Sequence, residues 1–253
     1  GLGSNDAGAS LVSLLQVFFY LTQRPQPYNL IFAATAEEEI SGKNGIEIML
    51  QEFPKVDFAI VGEPTGMNMA VAERGLMVID ATVTGKSGHA AREEGENAIY
   101  KALDAINWFK NYRFAKVSPL LGPVKMTVTQ INGGIQHNMI PDKCTFVVDV
   151  RSNELYSNEE ILEIIHENVD CRIEPRSVRL CSTATQPDHP IIKRAQQMNL
   201  TLYGSPTLSD QALMPFPSVK IGPGDSARSH TADEYVLVEE IEKGIEVYIQ
   251  LLD

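Results

Sequence analysis

Apolar positions along this chain follow two patterns, and the pattern changes twice. Early in the chain, short apolar runs stop at acids. Leu30–Ala34 reads LIFAA and leads, through Thr35 and Ala36, to Glu37, Glu38 and Glu39. Asp57–Gly62 reads DFAIVG and runs into Glu63 and Pro64. Runs of this length and type predict buried strands of a parallel sheet, with the acids at its carboxyl edge. Leu11, Leu14, Leu15, Phe18 and Phe19 recur at helical spacing within Ala9–Leu21, and Gly45–Phe53 reads as a second amphipathic helix. After Gly75 the pattern becomes alternation: Met77–Thr84 switches between apolar and polar residues, as a half-exposed antiparallel strand does. A helix over Asn97–Trp108, strands over Val124–Ile131 and Thr145–Arg151, a helix over Asn158–Glu167 and a strand over Arg172–Leu180 complete an α+β module. The first pattern then returns, with a helix over Pro190–Tyr203, a short buried strand Val219–Gly222, a glycine-rich loop to Asp233 and a closing helix Tyr235–Leu252. The expected fold class is α/β, a mostly parallel sheet with flanking helices in residues 1–75 and 183–253, interrupted by an inserted α+β module at 76–182.

Composition narrows the function. The chain has 253 residues, 43% of them hydrophobic, so a core can form without staples. The net charge of −12 argues against a nucleic-acid partner and suits a cation site. Cys144, Cys171 and Cys181 are odd in number and lack metal-ligand spacing, so they read as reduced thiols of a cytoplasmic protein, with Cys144 serving packing. No apolar segment has the length of a membrane span and no signal peptide is visible. The opening GLGSND has no initiator methionine and reads as an interior segment.

The candidate chemistry lies where apolar stretches end, at Asp6, Glu38, Glu39, Glu63 and His230. Taken alone, the three consecutive glutamates read as a solvated loop and Asp6 as a helix cap. Taken together, carboxylates and an imidazole are ordinary zinc ligands. Four carboxylates in one place repel and hold protons unless cations neutralise them, which two divalent ions sharing one carboxylate would do. Glu38 and Glu39 are adjacent and point in different directions, so one can bind metal while the other faces substrate.

GSNDAG, TAEEEISG, VGEPTG, KSGHAA, HNMIPDKCTFVVDVR and GPGDSARSHTADEYV occur in this order. This series resembles the dinuclear zinc metallopeptidases, the family of acetylornithine deacetylase, succinyl-diaminopimelate desuccinylase, aminoacylase and carboxypeptidase G. The resemblance covers essentially the whole chain. It implies a zinc-exopeptidase-like catalytic domain in 1–75 and 183–253 and a ferredoxin-like lid and dimerisation domain in 76–182. It implies that Asp6 bridges two zinc ions (cobalt being possible), that Glu39 and His230 hold one of them and that Glu63 holds the other. Glu38 would be the general base. His89 would polarise the scissile carbonyl in the partner subunit of a homodimer, and Asn138 and Arg151 would hold the substrate carboxylate. The peptide after Asp6 is expected to be cis.

The implied reaction is hydrolysis of the amide of an N-acyl amino acid, first of all N-acetylornithine or N-succinylornithine in arginine biosynthesis. Succinyl-diaminopimelate desuccinylation and dipeptidase or carboxypeptidase activity are the enzymatic alternatives, and an inactive metal-binding dimerisation module is the non-enzymatic one. The family also carries an upstream H-x-D motif whose His is a metal ligand. No such motif occurs in this chain, which suggests a fragment or the ordered part of a longer protein that holds one zinc tightly. His137, His166 and His189 read as turn, surface and helix-entry residues, and Asp210 resembles a family position near the substrate.

Overall fold

The computed structural model describes every residue except Glu93. In chain order its elements are α1 (Ala9–Thr22), α2 (Ile46–Glu52), β1 (Ala59–Val61), β2 (Met69–Glu73), β3 (Met77–Thr84), β4 (Gly88–His89) and α3 (Ala98–Asn111). They continue as β5 (Lys125–Gly133), β6 (Met139–Ile140), β7 (Lys143–Arg151), α4 (Asn158–Asn168), β8 (Arg172–Pro175), β9 (Thr183–Ala184), α5 (Pro190–Gln197), β10 (Leu202–Ser205), β11 (Ser218–Lys220) and α6 (Val238–Leu252). Two compact units result, Gly1–Glu73 with Thr183–Asp253, and Arg74–Ser182. No helix among the described residues is long and apolar enough to cross a membrane.

The first unit is built on a sheet ordered β1-β11-β2-β10, with β9 also against β2. The β1/β11 and β2/β10 ladders are parallel and carry most of the pairing, while β11 and β9 meet β2 antiparallel. Its core joins Val17 and Leu21 of α1, Met69 and Val71 of β2, Ile192 of α5, Val219 of β11 and Tyr248 of α6. Burying such side chains contributes about 1.5–3 kcal/mol each.

In this unit the local reading and the structure differ at three places. Leu30–Ala34 forms no strand: none of the sheet pairings includes it, and Ile31 is 47% exposed. Five apolar residues supply strand propensity, but a strand also needs a neighbouring ladder, which the described residues do not provide there. Met69–Glu73, by contrast, is a fully buried strand that no alternation announces. The helix expected over Pro190–Tyr203 stops at Gln197. Asn199 turns left-handed with φ 57°, and Leu200 N–H bonds back to the Ala195 carbonyl, the signature of a helix end. The residues beyond, Leu202–Ser205, then pair with β2.

The second unit is a four-stranded antiparallel sheet ordered β5-β7-β3-β8, crossed by α3 and α4. With its β-α-β-β-α-β chain order, this is the ferredoxin-like arrangement. The alternation in β3 is realised residue by residue: Met77, Ile79, Ala81 and Val83 are buried, and the residues between them are not. They pack with Phe146, Val148 and Val150 of β7, Ala102 and Phe109 of α3, and Ile161 and Ile165 of α4. Asn97 caps α3, and Ser157 with Glu160 forms a capping box on α4. The last strand, β8, ends at Pro175 rather than Leu180.

Candidate metal centre

Asp6 sits in the irregular turn Ser4–Gly8 just before α1, and the Asp6–Ala7 peptide is cis. Glu38 and Glu39 form a single 3₁₀ turn, Glu38–Ile40, rather than a strand end. That turn is held by Glu37, which adopts φ 59° and accepts hydrogen bonds from the Asn44 backbone N–H and side-chain amide, both at 3.0 Å. A 3₁₀ turn rotates about 120° per residue, so the two glutamates diverge. Glu38 is half-buried and Glu39 is exposed. Glu63 follows β1, and the chain opposite it is Gly222. A Cβ on Gly222 would lie 2.5 Å from the Glu63 carbonyl oxygen, so only glycine permits this approach.

The fold brings Asp6, Glu39 and His230 together from three distant segments, with one ligand atom of each within 4.8 Å of the others. His230 Nε2 lies 3.4 Å from Asp6 Oδ2 and 3.2 Å from Glu39 Oε2. A tetrahedral zinc ion with ligands near 2.0–2.1 Å separates its donors by about 3.3 Å, so the spacing fits a metal as the side chains stand. The donor set of two carboxylates and one imidazole fits as well. The Asp6 side chain is 17% exposed, whereas those of Glu39 and His230 are 56% and 67% exposed, which leaves the site open on one side.

The surrounding carboxylates feel one another. Burial, followed by Asp210, Glu39 and Asp6, pushes Glu38 up to about 7, against the pull of Lys220. Burial, followed by the Glu38 and Asp6 charges, holds Glu63 well above the usual carboxylate range. Asp210 is also raised by burial, and it accepts a hydrogen bond from the Thr35 hydroxyl at 3.0 Å. A divalent cation placed among these groups would relieve their repulsion.

Sequence reasoning missed the charged residues beneath the site. Lys220 of β11 and Glu73 of β2 form an ion pair of 3.1 Å, with side chains only 4% and 0% exposed. Glu73 also accepts hydrogen bonds from the Ser209 N–H and hydroxyl, while Lys220 donates to the Thr207 carbonyl and hydroxyl. Breaking a buried pair from one side typically costs about 3–5 kcal/mol, so this pair fixes the Thr207–Ser209 segment that leads into Asp210. A lysine inside the apolar run SVKIG was the available signal. Glu234 was missed too: the Asp6 backbone N–H, opposed by burial and aided by the N–H groups of Asn5, His230 and Gly3, holds its carboxyl below the usual range.

In the second unit, His89 and Met139 pair across the β4/β6 ribbon, and the Ala90 N–H donates to the Asn138 carbonyl. His89 and Asn138 are therefore neighbours, and both are exposed. Arg151 does not join them. It ends β7, eight residue steps from Lys143 where that strand begins, about 26 Å at roughly 3.3 Å per residue. Its guanidinium is engaged by Asp149 through two hydrogen bonds of 2.8 and 3.1 Å. The expected fork for a substrate carboxylate is thus already filled, because residues two apart on a strand share a face. His189 caps α5 through Nδ1 and stacks on Phe58 at 4.5 Å, a structural role.

With this geometry in hand, residues 71–175 match the family model described as the peptidase dimerisation domain of the M20 group. The chain is 26% identical to an acetylornithine deacetylase from Proteus mirabilis, over 100% of this chain and 70% of that protein. It is 27% identical to a [LysW]-lysine/[LysW]-ornithine hydrolase from Sulfurisphaera tokodaii, over 100% of this chain and 73% of that one. Among solved structures, the aminopeptidase PepT of Bacillus cereus superposes with TM-score 0.75 at 20% identity, covering 96% of this chain and 69% of that chain. A dinuclear metal binding peptidase of the M20 family from Bacillus subtilis superposes with TM-score 0.66 at 16% identity, covering 96% and 70%. Residues 71–175 thus resemble the M20 peptidase dimerisation domain, and the chain as a whole is similar to metal-dependent amidohydrolases and peptidases.

Proposed function

We propose that this chain hydrolyses the amide bond of an N-acyl amino acid at a zinc site held by Asp6, Glu39 and His230, with Asp6 and Glu63 reaching a second ion. The observation that carries the reading is the ligand triad at metal spacing with Glu38 beside it. A bound divalent ion supplies Lewis-acid polarisation of the carbonyl and acidifies water. Glu38 takes the proton of the attacking water and passes it to the nitrogen as the C–N bond breaks, giving a carboxylic acid and an amine. His89 donates to the developing oxyanion. Asn138, on the same ribbon, offers an amide donor to the substrate carboxylate, and Arg151 contributes only by exchanging Asp149 for that carboxylate.

The relatives' names point to a substrate class. Ornithine and lysine each carry a second amine, and both occur in the names of the relatives described above. N-acetylornithine or N-succinylornithine, in arginine biosynthesis, is the first choice, followed by N-succinyl-diaminopimelate and then dipeptides. The three free cysteines suit action in the reducing cytoplasm. The test is amine release from acetyl-ornithine, succinyl-ornithine, succinyl-diaminopimelate and dipeptides, with and without added Zn²⁺. Metal-dependent release from the acylated diamino acids is expected. Metal binding with no release from any of them would favour an inactive dimerisation module.

The dimerisation domain supports a homodimer. His89 and Asn138 lie at the end of the second unit's sheet away from Arg151, and we assign them to the partner subunit's site. Mixing Glu38→Gln subunits with His89→Ala subunits, each nearly inactive alone, is then expected to restore part of the activity in the heterodimer. Confirmed subunit exchange without restoration would place His89 in its own subunit's site.

A further inference from the structure

Asp6 and His230 come from opposite ends of the chain, yet their ligand atoms stand at metal spacing. Hydrogen bonds from two buried side chains tie these two segments together. Asn5 and Glu234 flank the two ligands and are 0% and 1% exposed. Each sends its side chain into the backbone of the other's segment. Glu234 Oε1 accepts hydrogen bonds from the N–H groups of Asn5 at 2.9 Å and Asp6 at 3.0 Å. In return, Asn5 Nδ2 donates to the Asp225 carbonyl at 3.0 Å and to the Ser229 hydroxyl at 3.2 Å, and Asn5 Oδ1 accepts from the Asp225 N–H at 3.1 Å.

Two backbone features fit this exchange. Gly224 has φ 91°, and a Cβ there would lie 2.3 Å from Asn5 Oδ1, so the loop closes on Asn5 only as glycine. His230 itself has φ 60°, which costs a non-glycine residue about 1–3 kcal/mol and persists only where the surroundings impose it. Its neighbour Ser229 is tied to Asn5, and Glu234, four residues on, is tied to Asp6.

We infer that Glu234 and Asn5 form a reciprocal clamp that presets Asp6 and His230 for the metal, with Glu234 as its central positioning residue. The inference rests on the metal reading of the Asp6–Glu39–His230 cluster. Groups that orient metal ligands typically contribute about 10–100-fold to affinity. Removing the Glu234 carboxylate takes this acceptor from the buried Asn5 N–H and the part-buried Asp6 N–H and loosens the Asp6 segment from the segment that carries His230.

The test uses Co²⁺ alone as the probe, on the folded chain, with wild type, Glu234→Ala and Glu234→Gln compared. Affinity is read by competition with a chelator, ligand geometry by the visible cobalt spectrum, and metal-free stability by denaturant unfolding. The expected result is a loss of about 10–100-fold in Co²⁺ affinity for Glu234→Ala with an altered spectrum, and a smaller loss for Glu234→Gln, which keeps one oxygen acceptor. Where Glu234→Ala does not fold, Glu234→Gln against wild type carries the same comparison. Wild-type affinity and spectrum in the folded variants, even with lowered stability, would reduce Glu234 to a fold-stabilising residue and overturn the clamp. Failure of the wild type itself to bind Co²⁺ would instead overturn the metal reading beneath it.

Discussion

Glu38→Gln is expected to lower turnover by about two to four orders of magnitude while leaving metal content unchanged. The argument begins with direction. Glu38 and Glu39 occupy one 3₁₀ turn; Glu39 Oε2 reaches His230 at 3.2 Å, and Glu38 is not part of that ligand group. Glu38 instead faces inward, where burial and the charges of Asp210, Glu39 and Asp6 raise it to about 7. A base whose affinity for protons matches the working pH both accepts and returns a proton efficiently. A bound cation lowers that value again, so the pH profile of the loaded enzyme reports the combined site. Glutamine keeps the shape and one oxygen but can no longer carry the proton. The measurement is kcat alongside metal analysis of the same sample. Parallel loss of metal and turnover would show that Glu38 is a ligand and Glu39 the base.

The fold was legible where burial is one-sided. In Met77–Thr84 the period of two survives because one face meets α3 and α4 and the other does not. It failed where burial is two-sided or the partner is remote. Met69–Glu73 reads MAVAE, buried throughout, and only its pairing with β9, β10 and β11 makes it a strand. Leu30–Ala34 has the reverse history, strong local propensity with no ladder to join. Both errors concern long-range pairing, which a local window does not contain.

The site behaved differently. Asp6, Glu39 and His230 were readable from six motifs in order, and the fold sets them at ligand spacing. The residues that hold them were not readable. Lys220 and Glu73 are ordinary charges in the sequence, and only the β1-β11-β2 order puts them together in the interior. Glu234 and Asn5 likewise gain their meaning from the contact between two chain segments. Arg151 shows the converse: its type promised a carboxylate fork, and a neighbour two residues away on its own strand took it.

Metal analysis after exhaustive dialysis is expected to find about one tightly held zinc per 253-residue chain, and Asp6→Ala is expected to lose it. Zinc sites ordinarily use at least three protein ligands. Among the described residues only Asp6, Glu39 and His230 form such a group, and His230 Nε2 stands near the edge length of a tetrahedron from an oxygen of each carboxylate. A second ion would have Asp6 and Glu63. Burial and the Glu38 and Asp6 charges raise the proton affinity of Glu63 above the usual carboxylate range, and a second ion would have to compete against it. Fewer ligands and this competition both weaken the second position, and it should empty on dialysis while the first stays filled. On the proposed ligand set Asp6 would serve both positions, so its removal would leave two ligands at one and a single carboxylate at the other. Affinity should then fall by more than the roughly 10–100-fold that follows loss of a group merely supporting a ligand. Two zinc ions retained per chain would mean that another residue completes the second position. Retention of zinc by Asp6→Ala would remove Asp6 from the ligand set.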